Sequence, residues 1–391
     1  MALLLKHNIN GSKGIIVFNH KEWPFLHEKH SNELISLREK YFLGFNVGSI
    51  IKDQINYELI DFAFTYERIA KFREGVFKIP LLDSNFLPQV FYNQKIKKKY
   101  FDICAVSSSL KLKRNIDLLD GIKKLNKRGI YPNVILIITQ DININNTYYD
   151  IDLKNEIDIR FSDEEKNNIS LFYLSKKLGF KGVPQKTISW IKNNSKFFYA
   201  GSEYEGACRS SAEALICGCK IIYYKNTLSG IPRYLNEKNS YAFEYYKHLD
   251  KTLETAINEY KYTHNSREQK KIDFYLSETY TNEKLYPYLK KLYDINEEKF
   301  DGNLINTEDL SNSLPGHKLN VPWKPLNYIS TDIITTKQFK IFLEYISNEL
   351  IQVKPFRINL TQQNISFLEK LKFNLSFIRR KILQNMKLWG Y

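Results

Sequence analysis

Glu205 and Glu213 stand eight positions apart in the run Ser202-Glu203-Tyr204-Glu205-Gly206-Ala207-Cys208-Arg209-Ser210-Ser211-Ala212-Glu213-Ala214-Leu215-Ile216-Cys217-Gly218. Before the run comes Lys196-Phe197-Phe198-Tyr199-Ala200, apolar and aromatic enough for a short buried strand; after it, Lys220-Ile221-Ile222-Tyr223-Tyr224 reads as another. Between them, Gly206 opens a stretch with Ala207, Ala212, Ala214, Leu215 and Ile216, good helix material closed by Gly218. The order is strand, acidic-Gly turn, helix, Gly, strand. A helix that follows a parallel strand presents free backbone N–H groups and a positive dipole end, which suits a phosphate. Glu205 falls at the mouth of that turn. Glu213, about two helical turns on, is placed to accept hydrogen bonds from sugar or ribose hydroxyls.

On these residues the segment resembles the retaining, GT-B-fold glycosyltransferases of the family 4 (group 1) type, which carry two glutamates separated by seven residues in a Ser-x-x-x-Glu-Gly turn. The later Ser229-Gly230-Ile231-Pro232-Arg233 resembles that family's Gly-Ile-Pro-Glu segment, with arginine in the last place. The resemblance implies an α/β chain of two Rossmann-like domains facing a cleft. It also implies transfer of a sugar from a nucleotide-sugar donor with retention of configuration. Glu205 then orients donor-sugar hydroxyls and Glu213 the ribose, and the backbone of Gly206, Ala207 and Cys208 helps to neutralise the diphosphate.

The chain has 391 residues, beyond the usual reach of one hydrophobic core, so two domains and an extension are expected. Cys104, Cys208, Cys217 and Cys219 include no Cys-x-x-Cys pair and no histidine at ligand spacing, against a zinc site or a disulfide framework. That usage fits the reducing cytoplasm. The apolar run at Met1 to Leu5 is too short for a signal peptide, and no stretch approaches the length of a membrane span. A net charge of +15 asks for an anionic partner. There is no RNP-like motif, zinc finger or clear helix-turn-helix, so nucleic acid is not the expected partner.

Strands are expected at Gly14 to Phe18, Leu43 to Gly48, Leu59 to Phe64 and Val76 to Leu81, with helices at Asn32 to Phe42 and Tyr66 to Phe72. His20, just past the first strand, is the acceptor-side candidate, as base or hydrogen-bond partner. Ile79-Pro80-Leu81-Leu82-Asp83 matches the segment that closes the family's first domain, which leaves this one short. The basic run Lys95 to Lys99 reads as a solvated hinge, with a lipid-headgroup contact as the alternative. The second domain opens with Phe101 to Val106, a helix from Asn115 to Lys127 and a strand from Asn133 to Thr139. The family's phosphate-binding arginine falls on Ser108 or Ser109 and its lysine on Lys113 or Arg114. Lys111 or Arg114 is therefore the expected replacement cation. Arg209 reaches a phosphate or pairs with Glu205 or Glu213; the sequence does not choose. Residues 141–168 are polar and Asn-rich and read as a loop excursion. Within them Asp150-Ile151-Asp152 mimics a metal-binding Asp-x-Asp, but in the wrong order of elements, so no metal is expected.

Helices are also expected at Leu249 to Tyr262, Glu278 to Tyr293 and Lys337 to Ile351. From about Gln362 to Trp389, Leu368, Leu371, Leu375, Ile378, Ile382 and Met386 form an apolar stripe ringed by Lys370, Lys372, Arg379, Arg380, Lys381 and Lys387. Such a helix lies on an anionic membrane or packs on its own protein. The expected organisation is a short acceptor-side Rossmann-like domain over 1–97, a nucleotide-sugar-binding Rossmann-like domain over 98–295, and a linker with an α-helical C-terminal extension over 296–391. The function expected is metal-independent glycosyl transfer to a glycan or lipid-linked acceptor in bacterial surface polysaccharide synthesis, in the cytoplasm or peripheral on the inner face of the membrane. A catalytically inactive GT-B scaffold and a basic nucleic-acid-binding protein are the two alternatives.

Overall fold

A computed structural model describes residues 3–6, 8, 11–19, 23–46, 58–65, 75–85, 87, 90–140, 152–175, 183–206, 208–260, 267–302, 339, 340 and 343. The first unit contains β1 (Leu3–Lys6), β2 (Gly14–Asn19), α1 (Trp23–Lys29), α2 (Ser31–Lys40), β3 (Tyr41–Asn46), β4 (Phe62–Phe64) and β5 (Phe77–Ile79). They form one sheet in the order β1-β2-β3-β4-β5. β2 to β5 run parallel, and β1 adds antiparallel to β2. Both faces of this sheet are covered, as a parallel sheet requires. On one, Phe18, Trp23, Leu34, Leu43 and Phe45 pack together; on the other, Ile15, Val17, Phe42, Phe62 and Phe64 meet a later helix.

The second unit contains β6 (Phe101–Ser108), α3 (Asn115–Asn126), β7 (Val134–Gln140), α4 (Leu153–Arg160), α5 (Asp163–Lys166), β8 (Ile169–Ser175), α6 (Gln185–Asn193), β9 (Ser195–Ala200), α7 (Arg209–Ile216), β10 (Lys220–Tyr224), β11 (Ser240–Phe243), α8 (Leu249–Glu259) and α9 (Arg267–Tyr275). Its sheet is parallel at every pairing, in the order β11-β10-β9-β6-β7-β8. Counted from β6, that is the doubly wound order 3-2-1-4-5-6 of Rossmann folds, and it reverses between β6 and β9. The architecture is therefore α/β with two Rossmann-like units.

Several elements depart from the sequence reading. The helix expected to run to Phe42 stops at Lys40, because Tyr41 and Phe42 are buried as the start of β3. The expected loop over 141–168 holds two helices. Asp152 caps α4 by accepting from the Lys154 and Asn155 backbone N–H groups (both 3.1 Å), and Ser162 with Glu165 forms a capping box at α5. Leu153 and Ile157 then bury against α3. β8 follows at once, a strand the sequence reading passed over. Residue ranges 66–72 and 362–389, expected as helices, lie outside the described residues, as does most of 337–351.

The helix expected to end the second domain, α10 (Glu278–Ile295), buries Leu285, Leu289, Leu292 and Tyr293 on the first sheet instead. Phe339, within the expected extension, is fully buried in the first core and lies 4.9 Å, ring to ring, from His30. The first unit thus completes its core with residues from far along the chain. No described helix is long and apolar enough to cross a membrane.

Candidate ligand site at the switch point

Two turns leave the carboxyl ends of β6 and β9, side by side at the point where the strand order reverses. The first passes through a 3-10 turn (Lys111–Lys113), reaches Arg114 in the left-handed region (φ 57°) and enters α3. Asn115 fixes it, donating from Nδ2 to the Ser108 carbonyl (3.0 Å) while the Ser107 hydroxyl donates to its Oδ1 (3.2 Å). The second turn carries Gly201 to Gly206 and enters α7 through Cys208, also left-handed at φ 49°. Cys208, rather than Gly206, therefore opens the helix.

The two turns touch. The Glu203 amide donates to the Leu112 carbonyl (3.3 Å), and Lys113 Nζ lies 3.1 Å from Glu205 Oε1. A third segment, after β10, braces the acidic turn: Leu228 N donates to Glu203 O (2.9 Å), Glu205 N to Leu228 O (3.0 Å) and Gly230 N to Gly206 O (2.8 Å). The Gly-Ile-Pro segment is thus brought beside the glutamate turn. Burial raises the pKa of Glu205. The Lys113 ammonium and hydrogen bonds from Ser202 and Cys208 outweigh this and hold the carboxyl below its ordinary range. Glu205 is an anion at neutral pH, 27% exposed.

The expected phosphate cations, Lys111 and Arg114, both lie on the turn after β6, in different settings. Arg114 is engaged by Asp117 (2.9 Å) and Glu203 (3.5 Å), with its guanidinium 4.0 Å from the centre of the Tyr246 ring. Lys111 is exposed on the 3-10 turn. Lys113, one of two positions the resemblance allowed, is the cation that faces Glu205.

Glu213 is held from both sides. Lys192 Nζ donates to Oε2 at 2.5 Å and Arg209 Nε to Oε1 at 3.1 Å. Arg209 thereby takes its partner among the alternatives left open by the sequence. Lys192 is completely buried, lies over the Phe91 and Phe198 rings, and also donates to the Ser210 carbonyl and hydroxyl. The sequence reading missed it. Its only signal was a lysine at an apolar position of the helix before β9. Arg233 was also missed. It donates to the Pro80 carbonyl (3.3 Å) and Asn85 Oδ1 (2.6 Å), tying the second unit to the chain just past β5. His20, Ala207, Asp150 and Ile151 lie outside the described residues. Asp152 has the capping role described above.

Fold and site together define a doubly wound α/β protein with two charged turns in contact at its topological switch point, the position where such sheets bind ligands. No protein-family model matches the sequence, and no curated protein matches it. Among solved structures, the chain is similar over part of its length to glycosyltransferases. The pneumococcal O-GlcNAc transferase GtfA, solved with UDP and GlcNAc, is 11% identical; the match covers 69% of this chain and 56% of that one at a TM-score of 0.48. TarM is 14% identical, with 72% and 54% covered and a TM-score of 0.49. An α,α-trehalose-phosphate synthase from Burkholderia xenovorans is 10% identical, with 66% and 70% covered at 0.49. The chain spans about half the length of the first two.

Proposed function

We propose that the chain is a glycosyltransferase that binds a nucleotide-sugar at the β6/β9 switch point. The observation that carries this reading is the meeting of the two turns: the glutamate motif and the lysine-bearing turn lie in contact through Lys113–Glu205 and Leu112–Glu203. Catalysis in such a site consists mainly of positioning and of neutralising a departing diphosphate. Lys113 supplies the charge, trading Glu205 for a phosphate oxygen, with Lys111 at the rim and the backbone of Gly206 to Cys208 behind it. Glu205, once released, orients hydroxyls of the donor sugar. Glu213 meets the ribose with the lone pairs that Lys192 and Arg209 leave open. His20 serves the acceptor, a glycan or a lipid-linked saccharide of a bacterial surface polymer. Transfer is retaining, requires no divalent metal and takes place in the cytoplasm or at the inner face of the membrane, where the basic segment 362–389 is the proposed contact.

The test is thermal stabilisation by a panel of nucleoside diphosphates, followed by donor hydrolysis. A ligand at about a hundred times its Kd adds roughly 2.7 kcal/mol of stability. No shift with any of them removes the proposal. A catalytically inactive scaffold is the second reading, favoured by the engagement of Arg114 and Glu213 with their own neighbours. Binding of a nucleotide without donor hydrolysis or transfer selects it.

A further inference from the structure

The chain between the two units runs along α6, away from the switch point. The Ser189 hydroxyl donates to the Val90 carbonyl (2.7 Å), Asn193 Nδ2 to the Tyr92 carbonyl (3.0 Å), and the Gln94 amide to Asn193 Oδ1 (2.7 Å). This seam leaves three large rings in water: Tyr92, Tyr100 and Trp190 are 55%, 66% and 47% exposed. Tyr100 and Trp190 stack on each other, with centroids 6.3 Å apart and planes at 27°. Lys95, Lys97 and Lys98 are exposed on the same segment, and Lys186 is exposed one helical turn before Trp190, on its face of α6. Neither residues 87–101 nor residues 183–194 contain a carboxylate. Asp102, the next one along the chain, is held by Lys196 at 2.7 Å. Lys99 is turned inward onto the Ser195 and Gly218 carbonyls.

We infer that this seam is a docking surface for the headgroups of an anionic phospholipid bilayer. Rings with an apolar body and a polar tip sit naturally at the level of lipid headgroups. Lysines beside them add attraction to anionic lipid, and their flexible stems let the ammonium reach the phosphates while the carbons lie on the rings. The exposed cations here are all lysines, point charges that lack the planar fork with which arginine reads nucleic acid. Charge and ring chemistry therefore favour lipid. The inference is independent of the donor reading, because the seam lies at the amino ends of β6 and β9 and the switch point at their carboxyl ends.

The full chain is sedimented with vesicles of phosphatidylcholine alone and of phosphatidylcholine mixed with phosphatidylglycerol, at low and high salt. Binding to the mixed vesicles, weak binding to the neutral ones and release by salt are expected. Lys97→Glu/Lys98→Glu and, separately, Tyr100→Ser/Trp190→Ser lower the bound fraction roughly tenfold with an unchanged melting temperature. A control of the same charge change at two other exposed positions, Lys127→Glu/Lys154→Glu, leaves binding unaltered. The inference is overturned if both seam variants bind as the parent does, or if the control loses as much as they do. It is also overturned if a random oligonucleotide is held through the seam lysines while vesicles are not. Should the ring variant fail to fold, the lysine variant decides.

Discussion

The turn after β9 and the helix that follows it each carry one glutamate, in contrasting settings. Glu205, in the turn, has one ion-pair partner, Lys113, on a neighbouring turn, and keeps over a quarter of its surface in water. Glu213, in α7, is 12% exposed and clasped by Arg209 and by the fully buried Lys192. An ion pair that keeps part of its surface in water exchanges more readily than one sealed from it. A buried pair is costly to break, because removing one partner strands the other's charge away from water. The turn glutamate is thus the easier of the two to part from its partner, whereas the helix glutamate holds α7 against α6. Two acidic residues of one motif are assigned different work by their surroundings.

The largest test of that contrast is Lys192→Met. It leaves a nearly buried carboxylate with Arg209 alone, and unfolding free energy should fall by about 3–5 kcal/mol in urea denaturation. Pairing it with Glu213→Leu replaces the ion pair by apolar groups and should restore much of the loss, a coupling read from the double-mutant cycle. Additive losses would break the contrast on the helix side. Glu205→Gln should leave stability within about 1 kcal/mol of the parent while turnover drops roughly a hundredfold or more. Because Lys113 is then released, affinity for a nucleoside diphosphate should hold or rise. A large stability loss would mean that Glu205 too is a strut. Glu213→Ala, judged on the folded fraction, should weaken that affinity by roughly 1.5–3 kcal/mol if it bonds the ribose; unchanged affinity would leave it purely structural.

Acid provides a third test. Lys123, the Ser162 backbone amide and Asn126 bring Glu165 down to about 2 against burial, and Glu205 is lowered as described. Folded-state values below the unfolded one stabilise the fold above about 4.5, the ordinary glutamate value, and that contribution is lost as pH falls through the folded value. Stability should therefore decline between pH 4.5 and about 2, and Glu165→Gln should flatten part of that slope. The smallest effect is expected at Asp152. Asp152→Ala removes an N-cap worth about 1 kcal/mol, and Asp150→Asn with Asp152→Asn should leave turnover nearly intact, as should a chelator.

Much of the second unit was legible. β6, β7, β9 and β10 are short apolar runs between polar turns, and the glutamate turn lies between two of them as its spacing required. Composition misled where caps carried the information: the Asn-rich stretch before Ile169 hid Asp152 and the Ser162–Glu165 capping box. In the first unit the four expected strands fall on β2 to β5, but the covering of its sheet was not legible, because part of that core comes from α10 and Phe339, some two hundred residues or more beyond its strands.

By itself the sequence determined the local order of strand, acidic turn, helix and strand, and the placing of lysines and an arginine in the turn before α3. Those follow from propensity and periodicity, which act over a few residues. The tertiary structure alone decided which charge meets which. Lys192 lies 21 positions from Glu213, Lys113 lies 92 from Glu205, and Tyr246 lies 132 from Arg114. Their meeting depends on a strand order that reverses between β6 and β9. Crossover connections and the packing of helices on both faces set that order, and a window of neighbouring residues does not contain it.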